Sequence, residues 1–330
     1  MLNSVNLPKM SVSAFILAAG TGSRLYPFSY STPKPMLPLL NKPILQHSIE
    51  RLFKAEIQNI GIVIPKDDKI IPSFIDITFP NLNISYIVQE KALGTAHAVL
   101  QIEEYLSTKY FLVIAGDSLF SASFLKELSR AHIKEKNDIT LSLEKMGFDL
   151  MKKSSTVDYR NGRVLKVQEK PQTPAEILSD LNSAALYIFS KSIFNIIKSI
   201  KKSNRGEYEL ATAINKTIRQ GGQVGGLIAK RVCHISTSHD LWRFNLEFLQ
   251  KIQKGRINEN MIGKNVTIDE SAVIKNSILG DNSVIKKGIV LTSSVVLPNT
   301  IIDQNYENSL IQSDYYECYS ENKKEQTSLE

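Results

Sequence analysis

The chain of 330 residues lacks most features that mark disulfide-rich or membrane proteins. It contains two cysteines, Cys233 and Cys318, which lie far apart, so neither a disulfide scaffold nor a thiolate metal site is expected. No apolar run approaches the roughly 18 to 20 residues that a membrane span needs. The first residues, MLNSVNLPKMSVS, lack a charged segment leading into an apolar one. We therefore expect no leader, no membrane partner and a cytoplasmic location.

The composition gives little support to nucleic-acid binding. The net charge is +7, which suits anionic ligands in general. Part of that excess lies in residues 198–205 and 251–256, where the cations have no aromatic residues interleaved at a readable spacing. We therefore expect no nucleic-acid partner. With 42% apolar and 22% charged residues, the chain has the composition of an ordinary globular protein.

Residues 15–43 read FILAAGTGSRLYPFSYSTPKPMLPLLNKP and contain the strongest signal in the chain. The apolar start predicts a buried strand that stops at Gly20. Because Gly20 and Gly22 have no Cβ atom, the backbone N–H groups of this turn can approach an anion such as a phosphate. A dinucleotide fingerprint would need a third glycine at Leu25, and the GK[ST] tripeptide of a P-loop does not follow.

Two cations follow the glycines. Arg24 comes two residues after Gly22, and Lys34 stands between Pro33 and Pro35. The prolines predict an extended, stiff segment, which reduces the entropy lost when the lysine is aimed at a ligand. The stretch therefore predicts a phosphate-binding loop with fixed positive charge.

Buried apolar runs alternate with helical patterns over the first part of the chain. Strands are predicted at FILAA, NIGIVIP, NISYIVQ and YFLVIAGD, and helices over residues 44–55 and 96–106. This alternation predicts an α/β fold with a doubly wound, mostly parallel, Rossmann-like sheet, whose ligands bind at the carboxyl ends of the strands. Gly20, Gln89 and Asp117 stand at such ends.

The middle of the chain, residues 139–231, shows a more polar alternation. Strands are predicted at DITLSLE, RVLKVQEKP and AALYIFS, with a helix over residues 208–220. We expect an added sheet or lobe over the strand ends, suited to a second substrate.

From Ile262 onwards, apolar residues recur every six positions. This period is typical of a parallel β-helix, in which each apolar residue points into the coil and three hexads make one turn. Seven hexads predict two to three turns, and residues 306–330 are expected to form a polar tail. The hexad residues, with a slip of one place after the third, are Ile262, Ile268, Ile274, Leu279, Ile285, Leu291 and Leu297.

The loop of residues 15–43 resembles the signature of the sugar-1-phosphate nucleotidyltransferases (NDP-sugar pyrophosphorylases), LAAGxGxRLxP followed by PKPxLPxxxKP. The resemblance covers Phe15 to about Leu249 and extends more loosely into the repeats. It implies a nucleotidyltransferase domain over residues 12–255 and a short left-handed β-helix over residues 256–305. It also implies transfer of a nucleotidyl group from a nucleoside triphosphate to a sugar 1-phosphate, with release of pyrophosphate.

The resemblance assigns the catalytic and nucleotide-binding residues by their place in the motifs. Arg24 and Lys34 correspond to the family residues that hold the triphosphate and the departing pyrophosphate. In VQEKALGTAHAV, the Gln89 amide corresponds to the contact with the base, and a carboxamide offers a donor and an acceptor that match O4 and N3–H of uracil or thymine. His97 is interpreted as a helix residue near the site. The implied nucleotide-binding set is Leu17, Ala18, Ala19, Gly20, Gly22, Gln89, Gly94 and Thr95.

The remaining motifs concern the metal and the sugar. Asp117 follows a buried strand and a glycine, where a carboxylate is either a Mg²⁺ ligand or a helix cap, and the resemblance favours the ligand. Glu169 and Lys170, in VQEKP, correspond to contacts with the sugar hydroxyls and the sugar phosphate. Asn182 is the third expected substrate contact. The implied cofactor is Mg²⁺.

The sequence departs from the family pattern near the sugar. The family has Tyr-Gly where this chain has KKSSTVDY, with Ser154 or Ser155 and no glycine. In LNSAALY, Asn182 comes one place too early if Ala185 replaces the glycine of the family's Asn-x-Gly-x-Tyr.

A further departure concerns the metal. His234 stands where the family has a second metal ligand, usually Asp or Asn. Imidazole suits Mn²⁺ or Zn²⁺ better than Mg²⁺. Three interpretations stay open: His234 binds the metal, Asp240 replaces it, or Asp117 and the nucleotide phosphates hold the metal alone. We favour the third, with His234 as a phosphate or sugar contact.

These motifs favour a Mg²⁺-dependent uridylyltransferase acting on glucose-1-phosphate or N-acetylglucosamine-1-phosphate. A glucose-1-phosphate thymidylyltransferase is the near alternative, since uracil and thymine present the same hydrogen-bonding edge. A catalytically weak homologue that binds a nucleotide sugar and regulates a partner is another. Two to three turns of β-helix are too few for acetyl transfer, and we expect the repeats to cover an edge or to join subunits of a homo-oligomer.

Overall fold

The computed structural model describes residues 12–252, 259–313 and 315–319. The chain divides into two compact units. The first unit comprises Met1–Gly20 and Ser48–Val232, and the second comprises Thr21–His47 and Cys233–Glu330. The expected domain boundary at residues 255–256 and the charged run of residues 321–326 lie outside the described residues.

Eight α-helices occur in the described part of the chain. They are α1 (Ile44–Lys54), α2 (Ile70–Thr78), α3 (Thr95–Leu100), α4 (Ala122–Lys134), α5 (Phe148–Met151), α6 (Ile193–Lys198), α7 (Leu210–Arg219) and α8 (Ser238–Ile252). The helix expected over residues 96–106 is shorter than predicted, because α3 ends at Leu100 and a 3₁₀ turn, Glu103–Tyr105, follows it.

The first twelve strands run from the N-terminus to residue 228. They are β1 (Val12–Leu17), β2 (Pro38–Leu39), β3 (Lys42–Pro43), β4 (Ile60–Pro65), β5 (Ile84–Gln89), β6 (Tyr110–Ala115), β7 (Ser118–Leu119), β8 (Ile139–Lys145), β9 (Ser155–Arg160), β10 (Arg163–Glu169), β11 (Leu181–Ser190) and β12 (Val224–Ile228).

The later strands are short and mostly belong to repeats. They are β13 (Cys233–His234), β14 (Met261–Ile262), β15 (Thr267–Ile268), β16 (Val273–Lys275), β17 (Ile278–Leu279), β18 (Val284–Ile285), β19 (Val290–Thr292), β20 (Val295–Val296), β21 (Ile301–Ile302), β22 (Tyr306–Glu307), β23 (Ser309–Gln312) and β24 (Tyr315–Cys318).

The first unit is built on one nine-stranded sheet with the order β5-β4-β1-β6-β11-β8-β12-β10-β9. Strands β5, β4, β1 and β6 pair in parallel, as the alternation of strands and helices predicts. The expectation of an added sheet over the strand ends is wrong. Strand β11 pairs antiparallel with β6 on one side and with β8 on the other, so the middle of the chain extends the same sheet.

The core of the first unit forms because the strands are apolar and each helix presents one apolar face. In α7, Leu210, Ile214 and Thr217 are buried, a spacing that places them on one side of the helix. The rings of Phe111 and Phe194 stack in the interior, with centroids 5.3 Å apart. Complete burial of such side chains contributes about 2 kcal/mol each, and the sheet that carries the candidate residues is thereby rigid.

The second unit contains the repeats, which form a parallel β-helix with three faces. One face carries β14, β17, β20 and β23, and the other two carry β15, β18 and β21 and then β16, β19 and β22. Equivalent residues are 17 apart: Asn265, Asn282 and Asn299 form a hydrogen-bonded ladder at that spacing. Each of these asparagines has a positive φ, which asparagine tolerates better than most residues. A coil is thus one residue shorter than three hexads, which accounts for the slip in the sequence pattern.

Two of the residues expected in the interior of the β-helix, Leu297 and Ile262, are placed differently in the structure. Val296, not Leu297, belongs to the interior cluster with Leu279 and Ile285, because Val296 pairs with Leu279 in the neighbouring coil. Ile262 is 55% exposed, since β14 begins the first described coil and pairs only with β17 among the described strands. The strands of the repeats continue to Gln312, beyond the expected end at residue 305, and β24 then pairs antiparallel with β23.

Helix α8 packs on one face of the β-helix within the second unit. The Trp242 indole N–H donates to the Ser293 carbonyl at 2.9 Å, and the Ser238 hydroxyl donates to the Glu317 carboxylate. Within the described ranges, no helix combines the length and apolarity that a membrane crossing requires.

Candidate active site

In the first unit, the parallel strands bring three predicted segments to one edge of the sheet. Leu17, the last residue of β1, pairs with Val63 of β4 and with Ala115 of β6. Gln89, the last residue of β5, pairs with Pro65 of β4. The residues that follow β1, β5 and β6 therefore leave the sheet at the same edge, where open α/β sheets bind ligands.

The backbone after β1 is held by the neighbouring strands. The Ala18 N–H donates to the Val63 carbonyl at 2.8 Å, and the Gly116 N–H donates to the Leu17 carbonyl at 2.9 Å. Ala19 is half-buried, and a Cβ atom added at Gly20 would meet nothing within 4 Å. The strand expected to stop at Gly20 thus ends at Leu17, and Gly20 lies three residues later in open space, as an approach to an anion requires.

The loop that carries the two cations belongs to the second unit. Gly22 has φ +65°, and a Cβ atom there would come within 3.0 Å of the Lys34 Cβ atom. The Ser29 hydroxyl donates to the Gly22 carbonyl at 3.0 Å. Glycine is therefore required at this turn both for its backbone conformation and for its close packing against the lysine.

The two cations lie in short 3₁₀ turns. Arg24 is exposed within Ser23–Leu25, and Lys34 is half-buried at the start of Lys34–Met36. The extended segment expected around Lys34 is therefore limited to Pro33, because the chain turns directly after it. The buried side chains of Leu25 and Phe28 anchor the loop between the cations.

The predicted base contact sits in a tightly connected corner of the first unit. Gln89 is 6% exposed, and its Nε2 atom donates to the Gly94 carbonyl at 3.4 Å and lies 3.0 Å from Nδ1 of His97. Gly94 has φ +109°, and a Cβ atom there would lie 2.5 Å from the Tyr208 carbonyl oxygen. The exposed Thr95 begins α3, and its hydroxyl accepts from the Leu210 N–H at 3.3 Å.

Asp117 follows β6 directly after Gly116, as predicted. The Ser118 hydroxyl donates to its Oδ1 atom at 3.2 Å. In the part of the chain that the structure describes, no group of three or more His, Cys, Asp or Glu side chains could hold a metal ion. A single carboxylate still fits Mg²⁺, because this ion keeps several waters and takes phosphate oxygens from its substrate.

Glu169 lies at the end of β10 in a charged cluster of the first unit. The Arg205 guanidinium lies 3.7 Å from Oε1 of Glu169 and 2.8 Å from Oε1 of Glu209. Burial raises the pKa of Glu169 above its ordinary value, and the attraction of Arg205 opposes that shift in part. Lys170 follows with φ +42°, and its N–H donates to the Ser154 carbonyl at 2.6 Å.

Asn182 is 2% exposed and supports the two serines that replace the family's Tyr-Gly. Its Oδ1 atom accepts from the hydroxyl of Ser154, the hydroxyl of Ser155 and the Ser155 N–H, at 2.8, 2.8 and 3.1 Å. Its Nδ2 atom donates to Glu144 at 3.1 Å. Ala185 has φ +56° at an irregularity of β11 between Ser183 and Tyr187. The backbone that suits a glycine is therefore present where the family has one, although the residue is alanine.

The second unit carries the remaining metal candidates. His234 is half-buried in β13. The Oδ2 atom of Asp240 accepts from the backbone N–H groups of Ser236 and Thr237 and from the Thr237 hydroxyl, at 2.9 to 3.0 Å. Asp240 thus satisfies the free donors near the start of α8, a role that a carboxylate commonly has there.

Three residues of the first unit that lie against these motifs were not singled out from the sequence: Tyr208, Arg205 and Glu209. Tyr208 holds Gly94 and Ala96 through its backbone, since the Ala96 N–H donates to its carbonyl at 2.9 Å. The signal was the run RGEYE, in which two acids follow a cation. Arg205 ends the cation-rich residues 198–205 and Tyr208 begins the helix expected over residues 208–220, and nothing local shows that the run packs against VQEKP and GTAHA.

Comparison with known proteins agrees with these motifs. The nucleotidyl transferase family model matches residues 13–251. The bifunctional protein GlmU of Methanococcus maripaludis (strain C7) is 36% identical over 267 residues, covering 79% of this chain, which spans 61% of that relative's length. A glucose-1-phosphate thymidylyltransferase of Streptomyces griseus is 30% identical over 272 residues, covering 79% of this chain and 74% of the relative.

A solved structure has the same fold. It is a UDP-glucose pyrophosphorylase complexed with UDP-glucose, 21% identical, with a TM-score of 0.66 over 73% of this chain and 99% of that one. The chain therefore belongs to the nucleotidyl transferase family, and the sugar-1-phosphate nucleotidyltransferase family predicted from its motifs is confirmed.

Proposed function

We propose that this protein transfers a uridylyl group from UTP to a sugar 1-phosphate, giving a UDP-sugar and pyrophosphate. The observation that carries the choice of a pyrimidine nucleotide is the Gln89 corner, and the choice of UTP over dTTP follows from the resemblance of GTAHA to the motif of UTP-using members. Gln89 is only 6% exposed. Its Nε2 atom is hydrogen-bonded, and no described residue donates to its Oε1 atom. A buried carboxamide with a free acceptor at a strand end is suited to one flat, hydrogen-bonding ligand edge, such as that of a pyrimidine.

The chemical problem is to bring two polyanions together. A phosphate oxygen of the sugar 1-phosphate forms a bond to the α-phosphorus of the triphosphate, and the bond from that phosphorus to the pyrophosphate oxygen breaks. Catalysis then consists mainly of alignment and of cancelling negative charge. By their place in the motifs, Arg24 and Lys34 neutralise the triphosphate and the departing pyrophosphate. Leu17, Ala18, Ala19, Gly20 and Gly22 are assigned to nucleotide binding by the same motif.

The sugar 1-phosphate is assigned to the residues at and after the end of β10 and to β11 in the first unit. In this proposal Glu169 accepts hydrogen bonds from the sugar hydroxyls, and Lys170 contacts the sugar phosphate. Asn182 serves the same subsite by holding Ser154 and Ser155, whose hydroxyls are both directed at its oxygen. Glucose-1-phosphate and N-acetylglucosamine-1-phosphate are the sugars we expect.

Asp117 is the residue we assign to Mg²⁺. When bound, Mg²⁺ would draw negative charge from the phosphates and align them. Its further ligands would be phosphate oxygens and water, and Asp240 is occupied at the start of α8. We place His234 as a phosphate or sugar contact. If that is right, His234→Asp does not raise the rate with Mg²⁺; a strong rise with Mg²⁺ relative to Mn²⁺ would show that position 234 is a metal ligand.

The other parts of the proposal concern organisation. We assign the transferase domain to residues 12–255 and the repeats to a β-helix that covers an edge or joins subunits of a homo-oligomer, which sedimentation would show. We place the reaction in the cytoplasm, where nucleoside triphosphates are available.

The test is pyrophosphate release across UTP, dTTP, CTP, ATP and GTP, each with several sugar 1-phosphates and Mg²⁺. We expect the highest rate with UTP, and loss of that rate in Asp117→Ala. The matched control is Asp149→Ala, which removes an exposed carboxylate of α5. A preference for dTTP would favour the thymidylyltransferase. Folded protein that binds nucleotide but releases no pyrophosphate on any pair would favour the regulatory homologue.

A further inference from the structure

The orientation of the Gln89 carboxamide is determined by its neighbours. Its Nε2 atom lies 3.4 Å from the Gly94 carbonyl oxygen and 3.0 Å from Nδ1 of His97. A backbone carbonyl can only accept a hydrogen bond, so the nitrogen of the carboxamide must face Gly94. The same nitrogen then donates to His97, and Nδ1 of the imidazole must be the acceptor.

The surroundings of His97 favour this form of the ring. A neutral imidazole with an unprotonated Nδ1 carries its proton on Nε2. Burial, together with the nearby Lys202 ammonium, lowers the pKa of His97 below its ordinary value. The Tyr208 ring lies 6.4 Å away at an interplanar angle of 24°. The Gln101 Nε2 atom donates to the His97 carbonyl at 3.1 Å and lies 3.5 Å from Nε2 of the ring. A neutral imidazole accepts at one nitrogen only, and the shorter contact, 3.0 Å from the Gln89 nitrogen, assigns that role to Nδ1.

We propose that His97 is a positioning residue that fixes the Gln89 carboxamide in one of its two orientations and thereby makes the site select uracil or thymine over cytosine. This inference rests on the proposed function, in which Gln89 contacts the base. The inference is based on three features of Gln89: its nitrogen faces Nδ1 of His97, the same nitrogen faces the Gly94 carbonyl, and no described residue donates to its Oε1 atom.

The chemistry of the two orientations differs for the two kinds of pyrimidine. Uracil and thymine present an acceptor, O4, beside a donor, N3–H, whereas cytosine presents a donor, the 4-amino group, beside an acceptor, N3. Because Gly94 and His97 engage the two hydrogens of Nε2, the Oε1 atom is the part of the carboxamide left for the base. It accepts from N3–H of uracil or thymine, but it would face the unprotonated N3 of cytosine. Rotation of the carboxamide by 180° would present N–H instead of Oε1 and reverse this preference. A residue that prevents this rotation therefore determines which base is accepted. Two acceptors facing each other in place of a donor and an acceptor discriminate by about ten- to a hundredfold.

The test is a pair of substitutions at His97. Leucine removes the acceptor, whereas the Oδ1 atom of asparagine can occupy the place of Nδ1 and accept the same hydrogen bond. We expect His97→Leu to lower the ratio of kcat/KM for UTP to that for CTP by about ten- to a hundredfold. We expect His97→Asn to restore a ratio close to that of the wild type, which a merely structural role for His97 would not require.

Two results would overturn the inference. One is an unchanged UTP to CTP ratio in a folded His97→Leu protein, and the other is a loss in His97→Asn as large as that in His97→Leu. A second measurement does not depend on variants: ¹⁵N chemical shifts of the wild-type imidazole should show a proton on Nε2 and none on Nδ1 at neutral pH, and the reverse would contradict the geometry. Wild-type protein without turnover on any pyrimidine triphosphate would instead overturn the proposed function, and the ¹⁵N shifts would still decide the state of His97.

Discussion

Two parts of the first unit differ at their positive-φ positions: the part that we propose to bind the nucleotide (the nucleotide side, around Gln89 and Gly94) and the part that we propose to bind the sugar (the sugar side, around Asn182 and Ala185). On the nucleotide side, Gly94 has φ +109° and is packed against the Tyr208 backbone, and the glycine is retained. On the sugar side, Ala185 has φ +56° in an irregular part of β11, and the glycine is replaced. Glycine thus stands where an added Cβ atom would meet the backbone of Tyr208, whereas an alanine adopts the positive φ in the irregular part of β11.

A second contrast is the way in which polar groups are held. The Gln89 Oε1 atom is an acceptor to which no described residue donates, whereas the Asn182 oxygen accepts three hydrogen bonds from Ser154 and Ser155. We infer that the nucleotide side presents its carboxamide to a ligand. The sugar side uses its carboxamide as support and leaves the ligand contacts to the groups around it.

The largest expected effect is that of Gly94→Ala, which disrupts the packing of the nucleotide side against the Tyr208 backbone. The new Cβ atom would lie 2.5 Å from the Tyr208 carbonyl oxygen, and alanine is strained at φ +109°. We expect a loss of about 4 kcal/mol in the free energy of unfolding, measured with urea, together with loss of UTP binding. Gly147→Ala is the control, since a Cβ atom there meets nothing within 4 Å. Equal stability of both variants would contradict the close packing at Gly94.

The next effect tests the supporting role of Asn182. Asn182→Ala leaves the buried Ser155 N–H without its acceptor, and we expect a loss of about 3 kcal/mol in the free energy of unfolding. Asn204→Ala, at an exposed asparagine, should cost less than about 0.5 kcal/mol. If Asn182→Ala instead raised KM for the sugar 1-phosphate with unchanged stability, Asn182 would be a direct ligand contact, and the two sides would be alike.

A smaller effect measures the strain on the sugar side. Ala185→Gly removes the penalty of a left-handed alanine and should stabilise the protein by about 1 kcal/mol in urea unfolding. The neighbouring Ala184→Gly, at a buried position without a positive φ, should destabilise it by about the same amount. Destabilisation by both substitutions would show that Ala185 is not strained.

The smallest expected effect concerns Glu169 and depends on pH. Its pKa is raised above the ordinary value of 4.5, so the folded state binds this proton more tightly than the unfolded state does. The contribution of Glu169 to the free energy of unfolding of the wild type is therefore present at low pH, and it is lost as the pH rises through the raised pKa. We expect Glu169→Gln to be more stable than the wild type at pH 7, with the gain disappearing below the ordinary pKa. A gain that persists at low pH would point to a cause other than ionisation.

Much of the fold followed from local patterns. The apolar runs at FILAA, NIGIVIP and YFLVIAGD predicted β1, β4 and β6, because a strand buried on both faces must be apolar throughout. The six-residue rhythm predicted the β-helix, although the register of Val296 needed the coil length of 17 residues. The place of β11 was not predictable in this way. Its alternation is equally compatible with a new sheet, and only its pairing with β6 decides between them.

The motifs located the candidate residues but not their partners. VQEKALGTAHAV identified Gln89 and Gly94, yet the carbonyl that requires a glycine at position 94 belongs to Tyr208, more than a hundred positions along the chain. The pattern VQEKP likewise identified Glu169, whereas Arg205 became visible only through its distance from that carboxylate. Contacts of this kind leave no local period in the sequence.

The sequence by itself determined the family, the class of fold and the residue types available for the chemistry, because these depend on local periodicity and on closely spaced motifs. The tertiary structure decided how those residues act: that the middle strands extend one sheet, that Asn182 supports two serines, and that His97 faces the Gln89 nitrogen. The physical reason is that hydrogen-bond direction, burial and pKa depend on atoms that are close in space but distant in the chain, and those distances are set only when the chain is folded.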